Sequence, residues 1–203
     1  MPIIIDSYSQ RDPEWFEARL GSPGGSGISK IITTQGKKSK QADDYIMQLA
    51  GEIISGRREE TYQSIHMLNG IDRENEAREL FEFIHDVEVK QVALVYKDEQ
   101  KKFHVSPDGL IGNDSGIEIK APIAKTQIKY LLNNKLPVEY FSQIQMSLYV
   151  CERKEWWFMS YYPGLPTFEL KVRRNEKFIS ALAKELDKFI DNLISTIRKI
   201  KGG

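Results

Sequence analysis

The sequence predicts a mixed α/β domain in which helices flank a central sheet. Two observations support this fold class. Apolar residues recur three and four positions apart in some stretches, as in helices, and alternate with polar residues in others, as in strands. These stretches are interleaved along 203 residues, a length that fits one domain with a sizeable core.

The N-terminal part is predicted to consist of short helices separated by loops. Asp12-Pro13 can begin a helix over residues 14–20, because proline is favoured in the first helical turn. The glycine-rich stretch 21–27 ends this helix, and we expect a second one near Ile28, which the Ser26 hydroxyl can cap. After a polar loop, helical spacing returns at Tyr45, Leu49 and Ile53.

The middle of the chain changes from a helix to strands. The strongest helix prediction covers residues 71–84, where four apolar residues share one face: Ala77, Leu80, Phe81 and Ile84. Three strands follow, separated by polar or glycine-rich turns. We expect these strands to form a three-stranded meander over residues 92–96, 103–105 and 117–120.

The C-terminal part is predicted to add a helix, two strands and a long final helix. Residues 139–150 have helical spacing, and strands are expected over residues 156–161 and 168–172. The last helix carries an apolar stripe that we expect to pack on the rest of the domain. Its members are Phe178, Leu182, Leu186, Phe189, Leu193, Ile197 and Ile200.

Composition excludes several classes of protein. The 29 basic and 29 acidic residues cancel, which excludes a globally basic protein that coats nucleic acid by bulk attraction. The balance is uneven, however, since residues 18–42 contain five basic residues and no acidic one. The single cysteine, Cys151, excludes an internal disulfide and any cysteine-built zinc or iron–sulfur site. Since no long apolar segment is present, we expect a cytoplasmic protein with no membrane partner.

A pattern of charged residues surrounds the third predicted strand. Alternate residues of a strand point to opposite faces, so Glu118 and Lys120 share one face. Ile117 and Ile119 share the other face and would enter the core. Asp108 precedes this strand across a glycine-rich turn, and hairpin pairing can bring its carboxylate beside that of Glu118.

Two carboxylates and an ammonium on one sheet face suit metal-dependent hydrolysis. Mg²⁺ takes oxygen ligands and commonly uses one or two carboxylates together with substrate phosphates. Such a metal polarises a phosphodiester, and a nearby lysine can orient or deprotonate water and offset developing charge. The alternative is that these are ordinary solvated residues of a strand and a turn. The histidines have no metal-ligand spacing, and we interpret them as incidental: His66, His85 and His104.

Five stretches occur in an order that indicates a family: Trp15–Gly21, Gly24–Ser26, Gly70–Phe83, Pro107–Leu110 with Glu118–Lys120, and Gln143–Tyr149. Over about residues 10–165, the chain resembles the PD-(D/E)xK nucleases and, among them, the phage lambda exonuclease family, also called the YqaJ-like viral recombinase family. The resemblance implies a restriction-endonuclease-like core over about residues 65–165 within a single domain of residues 1–203. Helices over residues 12–55 would bind DNA phosphates, and residues 175–200 would form a C-terminal helix.

The resemblance implies roles at a metal site. The divalent metal would be held by Asp108, Glu118 and the carbonyl of Ile119. Lys120 would be the catalytic lysine. Glu74 matches a helix carboxylate beside the metal, although by spacing alone it can equally form an ion pair with Arg78 on the same helix.

The resemblance also implies residues that contact DNA. Arg19 and Ser26 match positions that hold the 5′-phosphate of the digested strand, whereas an arginine on such a helix is otherwise simply solvated. Met67 matches a residue thought to part the two strands. A motif packed against the catalytic centre is matched by Gln143, or by Gln145 with Tyr149, for which plain burial is the alternative.

The function implied is a Mg²⁺-dependent exonuclease, with Mn²⁺ as a substitute metal, that digests one strand of double-stranded DNA from its 5′ end. It would release mononucleotides and leave 3′ overhangs for recombination. A homotrimer is expected, because family members form rings of three subunits, and a single-strand annealing protein would be its partner. Two alternatives stay open: a structure-specific or restriction-type endonuclease on the same fold, and a non-catalytic DNA-binding protein.

Overall fold

The computed structural model describes residues 1–58 and 65–202, and in the helix that begins at Ile65 it describes side chains from residue 73 onwards. Its helices are α1 (Pro13–Ala18), a 3₁₀ helix (Gly25–Lys30), α2 (Ala42–Ser55), α3 (Ile65–His85), α4 (Ala124–Asn133), α5 (Val138–Val150) and α6 (Glu176–Lys201). Its strands are β1 (Ile3–Ile5), β2 (Val89–Lys90), β3 (Leu94–Tyr96), β4 (His104–Val105), β5 (Gly109–Ile111), β6 (Ser115–Lys120), β7 (Glu155–Ser160) and β8 (Phe168–Arg173).

A five-stranded mixed sheet carries the fold, in the order β2-β5-β6-β7-β8. Strand β6 pairs antiparallel with β5 and parallel with β7. A parallel pair needs a crossover connection, and α4 and α5 provide it here. The predicted fold class, a mixed sheet flanked by helices, is therefore confirmed.

The predicted three-stranded meander is wrong. Strands β3 and β4 pair with each other, but they belong to a separate sheet with the order β1-β3-β4. Strand β6 pairs instead with β5, a three-residue strand that sequence pattern did not indicate. Pro107 explains the break after β4, because proline has no N–H to donate and ends a strand ladder. The apolar segment Ile3–Ile5 pairs with β3 on the other side.

The largest hydrophobic core surrounds α5, whose Ile144 and Leu148 are fully buried. Helix α6 packs on this layer through its predicted stripe, which is buried at Phe178, Leu182, Leu186, Phe189 and Leu193. Asn175 caps α6, since its side chain accepts a hydrogen bond of 3.0 Å from the Phe178 N–H. Ile200 is 60% exposed, so the packing stops before the helix ends.

Helix α3 packs on the opposite face of β6. A second hydrophobic cluster includes Ala77, Phe81, Ile117 and Ile119. Because side chains alternate along a strand, Glu118 lies on the face towards α5. The helix predicted over residues 71–84 lies within α3 and is confirmed, and the two isoleucines of β6 enter the core as expected.

Among the helices that the structure describes, none combines the length and the apolar character needed to cross a membrane. Cys151, just after α5, is a buried free cysteine. Burial raises the pKa of its thiol to about 12, which keeps it protonated and unreactive at neutral pH.

Candidate active site

The β5–β6 hairpin brings Asp108 and Glu118 together. Asp108 directly precedes β5, and the register of this strand with β6 places it opposite Glu118. The Asp108 carboxylate accepts a hydrogen bond of 2.6 Å from the Ile119 N–H, which holds it against β6. Glycine is needed at position 109, because a Cβ atom there would lie 2.1 Å from a side-chain carbon on β2. This close approach explains why glycine follows Asp108 at the start of β5.

Glu118 is a buried carboxylate, with 1% of the residue exposed. Its Oε1 accepts a hydrogen bond of 2.6 Å from Nε2 of Gln143 and lies 2.5 Å from Nζ of Lys120. The same ammonium is 3.9 Å from Oδ2 of Asp108. The lysine thus lies between two carboxylates that converge on a space suited to a cation.

A cavity of about 200 Å³ opens beside this cluster. We call it the acidic cavity, and its lining includes Arg11, Glu74, Asn75, Arg78, Asp108 and Ile119. Glu74 brings a third carboxylate from α3, and its Oε2 lies 3.5 Å from a terminal nitrogen of Arg11. Arg78 bonds Asn75 rather than Glu74, at 3.0 Å, so the ion pair that spacing allowed within α3 is not the one observed.

Two carboxylates of this site, those of Glu74 and Glu118, have a raised pKa, and burial is the main cause. Burial, and then the charge of Asp108, raise the pKa of Glu74 to about 6 against the opposing charges of Lys120 and Arg11. Burial also raises the pKa of Glu118, which the Lys120 ammonium opposes. Burial alone would lower the pKa of Lys120, but Glu118 and Asp108 outweigh it and raise this pKa. The cluster therefore has an excess of negative charge that an added cation would relieve.

The donor atoms fit a hard divalent cation. Carboxylate oxygens are ligands of Mg²⁺ and Mn²⁺, and those of Asp108 and Glu118 face the same ammonium, that of Lys120. Among the side chains that the structure describes, those of residues 1–58 and 73–202, no three His, Cys, Asp or Glu form a metal-binding group by themselves. A cation bound between Asp108 and Glu118 would take two carboxylates and complete its coordination with other oxygen ligands such as water.

The two candidate glutamines on α5, Gln143 and Gln145, lie in different surroundings. Gln143 contacts Glu118, so the structure brings it into the cluster. Gln145 is buried elsewhere, where it donates to the Arg173 carbonyl at 2.9 Å and accepts from the Asn175 N–H at 2.8 Å. Tyr149 stacks on a phenylalanine of the core, with ring centroids 6.2 Å apart. The structure does not bring Gln145 or Tyr149 to the carboxylates; Gln145 is buried and Tyr149 is half-buried against the core.

A second polar cavity, of about 130 Å³, has basic walls. We call it the basic pocket, and its lining includes Arg19, Ser26, Lys30, Arg58 and His104. Glu52 also lines it, but that carboxylate accepts hydrogen bonds of 3.0 Å from the Gly21 N–H and from the Gln48 amide. The structure thus brings Arg19 and Ser26 together, and it adds a second guanidinium.

Arg19 is held in place by an aromatic ring. Its guanidinium lies 3.8 Å from the centre of the Trp15 ring. Burial, and then the like charge of Arg58, lower the pKa of Arg19 to about 10, so the pocket favours an anion. Trp15 also donates a hydrogen bond of 3.0 Å to Ser106, two residues before Asp108, which connects the basic pocket to the acidic cavity.

The structure contradicts one prediction about the glycine-rich stretch 21–27, the role of Ser26 as a helix cap. The N-cap of the 3₁₀ helix is Gly24, and Ser26 lies inside that helix, so the expectation that Ser26 caps it is wrong. Glycine is needed at position 24, because a Cβ atom there would lie 2.7 Å from Nε2 of His104. Ser26 is exposed and contributes its side chain to the pocket wall.

Three residues of these cavities were not indicated by sequence: Arg11, Arg58 and His104. Nδ1 of His104 lies 3.1 Å from the Ser22 hydroxyl, while its buried Nε2 has no hydrogen-bond partner in the part of the chain that the structure describes. Burial, and then the charges of Arg19 and Arg58, lower the pKa of His104 to about 3, so the imidazole is neutral. Spacing could not reveal these residues, because each reaches its cavity from a separate segment. Met67, the predicted strand-separating residue, has a side chain outside the described residues.

Comparison with known proteins shows a family and related structures. The model of the YqaJ-like viral recombinase domain matches residues 14–154. The crystal structure of an alkaline exonuclease from Laribacter hongkongensis is 28% identical, with a TM-score of 0.85 over 94% of this chain and 96% of that chain. The complex of that exonuclease with dAMP matches with a TM-score of 0.84 at the same identity and coverage.

A more distant structure shares the fold alone. A phage-related exonuclease from Haemophilus somnus 129PT is 14% identical and has a TM-score of 0.60, over 87% of this chain and 96% of that chain. No curated protein matches the chain.

Proposed function

This chain belongs to the YqaJ-like viral recombinase domain family, and from that premise we propose that it is a Mg²⁺-dependent exonuclease that digests one strand of double-stranded DNA from its 5′ end. The nuclease class itself follows from the family and from the likeness to an alkaline exonuclease over nearly all of both chains. The substrate, the polarity and the metal are the parts we propose.

One observation carries the proposal: a buried glutamate, Glu118, contacts Lys120 and Gln143 at once and faces Asp108 across a hairpin. Burying a carboxylate is costly unless it is paired, so a fold retains such a cluster only when every member has a partner. Solvated strand residues, the alternative interpretation, would not be buried in this way.

The residues of the cluster have separable roles. Asp108, Glu118 and the Ile119 carbonyl would hold Mg²⁺, which supplies positive charge to polarise the phosphodiester that is attacked. Lys120 would orient the attacking water and offset the negative charge that develops on the phosphate oxygens. Gln143, through its 2.6 Å hydrogen bond, holds the Glu118 carboxylate in one orientation, so that the ligand is in place before substrate arrives.

The basic pocket supports end-dependent digestion from the 5′ side. A 5′-terminal phosphate is an anion with up to two charges, and Arg19, Arg58 and Ser26 would bind it with N–H and O–H donors. Trp15 connects Arg19 to the turn before Asp108. The terminal phosphate and the first phosphodiester could therefore be bound at the same time, and the products would be mononucleotides. The Laribacter hongkongensis exonuclease, solved in complex with dAMP, is consistent with such a product.

We also expect the enzyme to form a homotrimer and to act before a single-strand annealing protein. A homotrimer that encloses DNA would keep the enzyme on its substrate, and the remaining 3′ overhang would be used by a single-strand annealing protein. Light scattering of the purified chain tests the first part, since the mass must be three times that of one chain. Mn²⁺ is expected to replace Mg²⁺, because it takes the same oxygen ligands.

Nucleotide release from labelled linear DNA tests the function directly. Duplexes carrying a label at the 5′ or the 3′ end of one strand are incubated with and without Mg²⁺. We expect metal-dependent release of the 5′ label first, as a mononucleotide. A closed circular duplex is the control, because an end-dependent enzyme leaves it intact. Cutting of the circle would instead support the endonuclease alternative, and no release with any divalent metal would support a non-catalytic DNA-binding protein.

A further inference from the structure

Arg11 stands at the rim of the acidic cavity in an unusual backbone conformation. Its φ is +78°, in the left-handed region that side chains other than glycine rarely adopt. Such a residue persists only where the surrounding structure holds it, and these positions often carry function. An arginine at a position that favours glycine indicates that its guanidinium has a role.

The residues on either side of Arg11 hold it near Pro107, which precedes Asp108. The side-chain amide of Gln10 donates to the carbonyls of Val92, at 3.0 Å, and of Pro107, at 2.8 Å. On the other side, the Asp12 carboxylate accepts a hydrogen bond of 2.7 Å from the Ser9 N–H. The segment that carries Arg11 is therefore attached directly to the residue that precedes Asp108.

The contact between Arg11 and Glu74 leaves the guanidinium available. The two groups are 3.5 Å apart, at the outer limit of a hydrogen bond, and their side chains are 51% and 35% exposed. The contact uses one of the five N–H donors of an arginine. An exposed pair with this geometry contributes little stability, so a stronger anion can take the guanidinium from Glu74.

The charges of the site explain why a second cation is needed. Lys120 is already bonded to Glu118 and lies near Asp108, so its ammonium is committed to the carboxylates. Even with Mg²⁺ held by Asp108 and Glu118, the Glu74 carboxylate repels an approaching DNA phosphate unless a cation on the open side offsets it. Arg11 occupies that side, and its planar guanidinium can bind two phosphate oxygens at once.

Building on the proposed function, we propose that Arg11 binds a backbone phosphate of the strand being digested, at the metal-proximal end of the acidic cavity, and leaves Glu74 when DNA arrives. Glu74 then faces the metal site without its partner. Arg11 is thus a substrate-contacting residue, distinct from the terminal-phosphate contacts of Arg19 and Ser26.

The test uses Arg11→Gly and Arg11→Lys, with Lys90→Ala as the matched control. Glycine accepts a positive φ, so Arg11→Gly removes the guanidinium without adding strain. Lys90 is a nearby cation paired with Asp6 at 2.6 Å, and Asp6 also lines the cavity. Binding of a 5′-phosphorylated duplex is measured by fluorescence anisotropy with Ca²⁺ in place of Mg²⁺ to slow cleavage, at several salt concentrations. Thermal unfolding, KM and the Mg²⁺ dependence of activity are measured in parallel.

We expect Arg11→Gly to unfold at no lower temperature than the wild type and to bind the duplex about tenfold more weakly, as for loss of one charge-assisted phosphate contact. The slope of log affinity against log salt should shrink by roughly 0.9, the value of one phosphate contact on duplex DNA. Arg11→Lys should keep that slope, and Lys90→Ala should match the wild type.

Two results would overturn the proposal. Unchanged duplex affinity and salt slope in Arg11→Gly, with a shifted Mg²⁺ requirement, would mean that Arg11 acts only through Glu74. A fall in unfolding temperature that accounts for the lost binding would mean a structural role. A wild-type chain that releases no nucleotide from any duplex would instead refute the proposed function, and this inference with it.

Discussion

The acidic cavity and the basic pocket are built in different ways. Beside the acidic cavity, Asp108 directly precedes β5 and Glu118 lies on β6, and the register of these two paired strands places both. In the basic pocket, Arg19, Arg58 and His104 come from three segments that are distant in sequence. Local chain geometry therefore produces the carboxylate pair, whereas the basic pocket exists only when the helices of the N-terminal part pack on the β3–β4 region.

The two cavities also have opposite electrostatic character. Burial and Asp108 raise the pKa of Glu74 to about 6, whereas burial and Arg58 lower the pKa of Arg19 to about 10. In each case burial and neighbours of like sign disfavour the charged form, so a ligand of opposite charge is favoured. A divalent cation would offset the charge of the first cavity and a phosphate that of the second, in line with the proposed function.

The largest effect is expected from breaking the acidic cluster. Lys120→Ala and Glu118→Gln should each lower nucleotide release from linear duplex by roughly 10²–10⁴-fold, because each removes charge that acts on the reacting phosphate. Glu118→Gln keeps the shape and a hydrogen-bonding oxygen, so it should stay folded even if Lys120→Ala does not. Lys184→Ala, an exposed lysine on α6, is the matched control. Activity within a few-fold of the wild type in Glu118→Gln, with the fold verified by circular dichroism, would reject the site.

A smaller effect is expected from breaking the basic pocket. The wild type should digest a 5′-phosphorylated end about 10 to 100 times faster than a 5′-hydroxyl end, as expected for hydrogen bonds to a charged group. Arg19→Ala should bring this ratio close to one, since the terminal phosphate then lacks its buried guanidinium. Initial rates on the two substrates measure the ratio, and Arg198→Ala, on the exposed end of α6, serves as control. Equal wild-type rates on both ends would show that the pocket does not read the phosphate.

The smallest effect concerns stability against pH, and it sharpens the electrostatic contrast. Burial lowers the pKa of His104 from the ordinary 6.5 to about 3. Between these two pH values the unfolded chain therefore binds more protons at His104 than the folded chain does. The contribution of the neutral His104 to the free energy of unfolding is fully present above pH 6.5 and is lost as the pH falls through this window. The loss is at most about 1.4 kcal/mol per pH unit.

Urea denaturation at pH 7 and pH 5 measures this loss. His104→Gln should lose less unfolding free energy between the two pH values than the wild type, and the difference isolates His104 because the other titrating groups are common to both proteins. An equal loss in both proteins would contradict a buried neutral imidazole.

The sequence predicted the acidic cluster better than the basic pocket. The positions of Asp108, Glu118 and Lys120 follow from strand alternation and one turn, which are local properties. The sequence could not show whether Gln143 or Gln145 contacts the cluster. The two glutamines lie two residues apart on one helix, and only packing decides which of them faces β6. Arg58 and His104 gave no signal, because nothing within their own segments distinguishes them from solvated or core residues.

Whether an element of the fold could be predicted also depended on how local its pattern is. Helices α2, α3, α5 and α6 and strands β7 and β8 were predicted because each is long enough to show its period. Strands β2 and β5 have two or three residues, too few for a period, and they were not predicted. Strand β4 was predicted over residues 103–105, but it pairs with β3 and not with β6. The meander prediction failed there, since adjacency in sequence was taken for adjacency in the sheet.

By itself, the sequence determined the fold class, the family and the residues of the carboxylate cluster, because these depend on patterns within a few residues. Only the tertiary structure decided which strands share a sheet, that Ser26 lies inside a helix instead of capping it, and that Arg11, Arg58 and His104 line the two cavities. Contacts of this second kind join segments that are separated by tens of residues. Their free energy comes from burial and charge in the assembled fold, which no single segment contains.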